Sequence, residues 1–231
     1  MRFPLYGAAV ALGFAAATIS VTNAAVISIC GREDAGVCTA FPGSGTLSQF
    51  SVGPIAVGDF TLTLASGTTQ PTLPPPGLLF SDNIVVGGPA SAGHTLDVFI
   101  TASGLTNPLG VLNFISGLTE NTIVGGWTET LSTFVSATNA LFGGTPLGSS
   151  TFNAPGALVL NTNANTGAGP YSVTAQYHLV STGAGAANAT ANILAAPVPG
   201  PIAGAGLPGL IAACGALIAF ARRRRSRYMP A

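Results

Sequence analysis

Apolar and polar residues alternate with period two along several stretches of the middle of the chain. The longest runs from Tyr171 to Val180, with Tyr171, Val173, Ala175, Tyr177 and Leu179 on one parity and Ser172, Thr174, Gln176 and His178 on the other. Residues 59–64 set Phe60, Leu62 and Leu64 against Asp59, Thr61 and Thr63, and residues 95–100 repeat the pattern with one exception at Phe99. Successive side chains of a strand point to opposite faces, so each run predicts a strand with one buried face. Shorter candidates lie at 26–29, 84–86, 111–115, 127–135, 158–160 and 189–194. Gly87-Gly88-Pro89, Asn107-Pro108, Gly125-Gly126, Gly143-Gly144 and Gly167-Ala168-Gly169-Pro170 separate them as turns. Many short strands with such punctuation predict a mainly β fold, an antiparallel β-sandwich of the jelly-roll or Ig-like kind. A small barrel satisfies the same pattern.

Both ends break the alternation. After Met1-Arg2 the chain is apolar from Leu5 through Val21 and then reads Thr22-Asn23-Ala24-Ala25. A charged start, an apolar core and a small-residue exit make a secretory signal peptide, expected to be cut after Ala24. At the other end residues 202–221 carry no charge, and Arg222, Arg223, Arg224, Arg225 and Arg227 follow. A helix of about 20 residues spans roughly 30 Å, the thickness of a bilayer's hydrocarbon core. The arginines are expected to stop transfer and stay on the cytoplasmic side, which leaves the body outside. The expected organisation is a signal peptide over 1–24, a β-sandwich ectodomain over 25–196, and a tail over 197–231. That tail holds a Pro-containing motif, a transmembrane helix and an Arg-rich end.

The tail order of Val198-Pro199-Gly200-Pro201, apolar helix and arginine cluster resembles the PEP-CTERM sorting signal of exopolysaccharide-producing Gram-negative bacteria. The resemblance is confined to about the last 35 residues. It departs from the family at Gly200, where the usual motif has Glu between the two prolines. It implies recognition by an exosortase-like membrane protease after signal peptidase has acted. The mature protein would then be anchored facing the periplasm, or released to the cell surface or matrix, with extracellular polysaccharide as a candidate partner.

Charge narrows the function classes. The chain has seven basic residues, all Arg, and six lie in the two end segments. The body holds Arg32 alone against Glu33, Asp34, Asp59, Asp82, Asp97, Glu120 and Glu129, a formal charge of −6. A surface so poor in cations offers nothing to phosphates, which excludes nucleic-acid binding. The chain is nonetheless 48% hydrophobic, so low charge does not signal disorder.

Candidate chemistry is sparse. Cys30 and Cys38 enclose seven residues and lie outside the cytosol on this topology, which predicts a disulfide. Cys214 falls mid-helix in the expected anchor. His94 and His178 have no Cys, Asp or Glu at motif spacing, and no set of residues has metal-ligand spacing, so no cofactor or metal is expected. There is no Gly-x-Ser-x-Gly, no Ser-x-x-Lys and no lysine, so no enzyme is expected. Glu120 and Glu129 could form a glycosidase pair, but are read more simply as charges on solvent-facing strand ends. Asn188-Ala189-Thr190 matches a glycosylation acceptor, and Pro74-Pro75-Pro76 marks a loop.

Two functions fit these observations. One is a non-catalytic structural or matrix-associated surface protein sorted by its tail. The alternative is a carbohydrate-binding or adhesive surface module on the same sandwich. Exposed aromatics would favour binding; buried Trp127, Tyr171 and Tyr177 would favour the structural role.

Overall fold

The computed structural model describes residues 25–198, apart from 43, 46–47, 70–76 and 89–90, together with residues 214–218. The expected signal peptide, Pro74-Pro75-Pro76, Pro199 to Pro201 and Arg222 to Arg225 lie outside the described residues. Residues 214–218 form a short exposed helical piece that includes Cys214. No helix among the described residues is long and apolar enough to cross a membrane. Most of the expected anchor, residues 202–221, lies outside them too.

The strands are β1 (Val26–Glu33), β2 (Thr39–Ala40), β3 (Gln49–Val52), β4 (Ile55–Val57), β5 (Phe60–Thr69), β6 (Gly77–Gly87), β7 (Ala92–Leu105), β8 (Val111–Val124), β9 (Thr128–Ser136), β10 (Thr145–Phe152), β11 (Gly156–Asn165), β12 (Tyr171–Thr182) and β13 (Ala186–Pro197). Sheet A has the order β10-β9-β12-β7-β1-β2, and sheet B the order β11-β8-β13-β6-β5-β3, with β4 also on β5. Every pairing is antiparallel. Two sheets with separate edges make this a sandwich; a barrel would have closed them. From β6 onward the chain changes sheet at every connection except β9–β10, so most neighbours in a sheet are distant in sequence.

The period-two pattern maps onto the layers. Ile27 and Ile29, Leu96 to Ala102 by twos, and Val173 to Leu179 by twos fill the inner face of sheet A. Phe60, Leu62, Ile84, Val86, Leu112, Phe114, Leu118 and Ile193 fill that of sheet B. Trp127 plugs the end of the core. Its ring meets Phe60 edge-on at 5.7 Å and its Nε1 donates to the Gly183 carbonyl at 2.8 Å.

Sequence reading missed β2, β3, β4 and β10. The first three are short, and β10 (Thr-Pro-Leu-Gly-Ser-Ser-Thr-Phe) has too few apolar residues to alternate. The tail expected from residue 197 starts inside a strand, since β13 continues through Pro197 and pairs with Leu112 there. Gly183 to Gly185 connect β12 to β13, which begins at Ala186.

Candidate functional site

Cys30 and Cys38 are bonded, with Cα atoms 5.7 Å apart. The loop they close carries Arg32, Glu33 and Asp34. The chain reverses through Asp34 and Ala35, both in the left-handed region (φ 47° and 58°), and Gly36 N–H closes the turn on the Glu33 carbonyl at 2.8 Å. Asp34 is tied to β7, its N–H donating to the Thr95 carbonyl and its carboxylate accepting from Thr95 N–H at 2.8 Å.

This turn sets Glu33 against the β4–β5 turn, where Asp59 N–H donates to Glu33 Oε2 at 3.2 Å. Gly58 there has φ 59°, a region that favours glycine, and a Cβ at this position would push the Glu33 carboxylate aside. His94, at the start of β7, lies among three carboxylates. Its Nδ1 is 3.1 Å from Asp34 and 3.3 Å from Glu33, and its Nε2 is 3.6 Å from Asp59. The hydrogen bond to Asp34 chiefly, helped by these charges, raises the His94 pKa, while the Thr95 N–H lowers that of Asp34. Protonation of His94 would balance the carboxylates. Glu33, Asp59 and His94 also bring one possible ligand atom each within 4.8 Å of one another, a set of the kind that holds divalent cations. The residues come from three separate segments, which is why spacing in the sequence did not reveal them.

Beside this cluster opens a cleft of about 480 Å³ between the disulfide loop and β4. Phe41 and Val57 make its apolar floor, and Gly31 lets them approach, since a Cβ there would lie 3.1 Å from the Phe41 ring. Val37 stands at the rim, 90% exposed, and Arg32, Glu33 and Thr39 supply polar groups. Arg32 is held in place. Its Nε donates to Asp97 at 2.9 Å and its guanidinium lies 5.3 Å over the Phe99 ring. Asp97 also accepts from Gln176 at 3.1 Å and contacts His178 Nδ1 at 2.8 Å. Burial would raise the Asp97 pKa, but these hydrogen bonds outweigh it and hold the pKa below the usual value. Arg32, Asp97, Gln176 and His178 thus form a fixed polar strip on the outer face of sheet A, leading to the cleft.

The other candidates fall elsewhere. Glu120 and Glu129 are not on solvent-facing strand ends. They are 1% and 0% exposed and face each other between the two sheets, with no hydrogen-bond partner for either carboxyl among the described residues. Burial raises both pKa values, most for Glu129, because two adjacent carboxylates out of water cannot both ionise. Substrate has no access to the pair. Trp127, Tyr171 and Tyr177 are all buried, so none offers a stacking platform. Asn188 joins Asn83 at 2.9 Å on the outer face of sheet B, and Val198 N–H donates to the Val111 carbonyl at 3.2 Å. His178 lies on the polar face expected of it, here bonded to Asp97.

No known protein family matches the chain, and no curated protein sequence does either. Solved structures are matched at low similarity. The chain is 12% identical to a carbohydrate-binding module solved with β-1,4-galactotriose, covering 50% of this chain and 70% of that one at a TM-score of 0.28. It is 10% identical to a xylan-binding domain of carbohydrate-binding module family 22, over 70% and 93%, at 0.31. It is 13% identical to an infectious bursal disease virus chain, over 84% and 54%, at 0.32. Scores this low carry no argument about ligand or activity, which rest on the site itself.

Proposed function

We propose that this chain is an exported, non-catalytic surface module that binds extracellular polysaccharide in the cleft beneath its disulfide loop. The observation that carries this is Arg32. It lines an apolar-floored cleft while Asp97 and Phe99 fix its side chain on the outer face of sheet A, with Glu33 next to it in the chain. A sugar presents an apolar C–H face and a rim of hydroxyls, and a site for one needs an apolar surface ringed by a few immobile polar groups. Phe41 and Val57 supply the first; Arg32, Glu33 and Thr39 supply the second. Binding by this route would use shape and hydrogen bonds without stacking on Trp127, Tyr171 or Tyr177, whose burial favours the second reading given below.

Export by a signal peptide over 1–24 and sorting by Val198 to Pro201, residues 202–221 and Arg222 to Arg225 belong to the same proposal. Signal peptidase and an exosortase-like protease would be the processing partners. The test is retention of the exported protein on the host's exopolysaccharide, with Arg32→Ala and Glu33→Gln as variants. Retention that falls for both variants supports the reading, and equal retention of all three proteins refutes it. A second reading, a matrix building block, draws on the burial of the same three aromatics.

A further inference from the structure

The two sheets leave four edges, and three are blunted. β2 has two residues and β3 has four, while β10 carries Pro146 and a bulge between Pro146 and Gly148. The Leu147 carbonyl within that bulge is occupied by the Thr162 hydroxyl. Short edges, prolines and bulges are how sheets avoid pairing with other chains, and inward or edge charges serve the same end. β11 has none of these protections, although Thr162 and Leu160 on its inner face meet Leu147 and Gly148 of β10. It is ten residues long, uncharged and free of proline, and it pairs with β8 in unbroken register from Gly156↔Glu120 to Asn165↔Val111. Its residues are mostly exposed, Val159 at 61% and Leu158 at 40%.

We propose that the free edge of β11 is a self-association surface, on which two copies of this chain pair β11 against β11 about a two-fold axis and join their B sheets. Charge favours a second copy as the occupant. β8, β10, β11 and β13 hold one charged residue between them, Glu120, and it is buried. The exposed and half-buried charges among the described residues lie instead on β1, the turn after it and the β4–β5 turn. Antiparallel self-pairing therefore opposes no like charges, whereas an acidic or basic partner would find nothing to complement. The contact is isologous, so it closes at a dimer through this edge. This inference goes beyond the cleft and does not depend on it.

The test uses cells that export the full chain in a Cys214→Ser background. Asn161→Cys, Val159→Cys and Asn163→Cys are made singly along β11, with Thr151→Cys on β10 as the control edge. We expect a disulfide-linked dimer on non-reducing gels at one β11 position or more, severalfold above the control. Adding Val159→Lys to a crosslinking variant at position 161 or 163 sets two cations near each other and is expected to remove the dimer. An intact Cys30–Cys38 bond reports that the variants still fold. Crosslinking along β11 no greater than at Thr151→Cys overturns the proposal, as does a dimer that Val159→Lys leaves undiminished.

Discussion

The Tyr177 hydroxyl, on sheet A, donates to the Asp82 carboxyl of sheet B at 2.6 Å, deep between the layers. The same oxygen accepts from Ala191 N–H at 3.0 Å, while the other carboxyl oxygen has no partner among the described residues. Burial pushes the Asp82 pKa from 3.8 up to about 8, although both hydrogen bonds pull it down. The folded state therefore holds a proton that the unfolded chain has released. A group of this kind contributes fully at acid pH and its contribution is lost as pH rises toward the folded pKa, at up to about 1.4 kcal/mol per pH unit. The protein is expected to lose stability between pH 5 and pH 8 in denaturant titrations, and Asp82→Asn is expected to flatten that loss.

Glu120 and Glu129 act in the same direction. Each has a raised pKa, so their contribution too is lost as pH rises. The double variant Glu120→Gln with Glu129→Gln keeps the shape and removes the charge. It is expected to raise Tm at pH 8 more than at pH 5. An equal shift at both values would mean that the pair ionises freely.

Much of the fold was legible because parity reports the face of a strand. Tyr171 to Leu179 read correctly as a core face, and the disulfide followed from Cys30 and Cys38 together with the expected export. Glu120 also keeps the parity of Leu112, Phe114 and Leu118, and Glu129 that of Leu131 and Val135. The sequence therefore placed both on the inner face. A lone carboxyl is so costly to bury that solvent was the natural reading. What parity does not contain is the second carboxyl on the opposite sheet; out of water, the two cannot both ionise. His94 was unreadable for a related reason, since Asp34 lies 60 residues away and meets it only through the β1–β7 ladder.

The end of the core is tightly filled. A Cβ at Gly185 would run into the Trp127 ring and the Val124 carbonyl. Gly185→Ala is expected to cost about 1–3 kcal/mol, the usual range for overpacking, and Trp127→Ala about 3–5 kcal/mol. Chemical denaturation of both variants checks this, and a neutral Gly185→Ala would show that the Trp127 end gives way freely.

The disulfide holds the loop that carries Arg32 and Glu33. Replacing Cys30 and Cys38 by serine is expected to cost about 2–3 kcal/mol in the loop-entropy account. It should also weaken polysaccharide retention under conditions where the variant remains folded, because the cleft loses one wall. Loss of stability with retention unchanged would detach the loop from the site.

The central claim is that ligand sits between the disulfide loop and β4. Amide hydrogen exchange of the exported protein, with and without the host's polysaccharide, tests it most directly. The account predicts added protection at residues 31–41 and 55–58, and little change in β11 or on the outer face of sheet B. Protection confined to those other surfaces, or none at saturating polysaccharide, would contradict it.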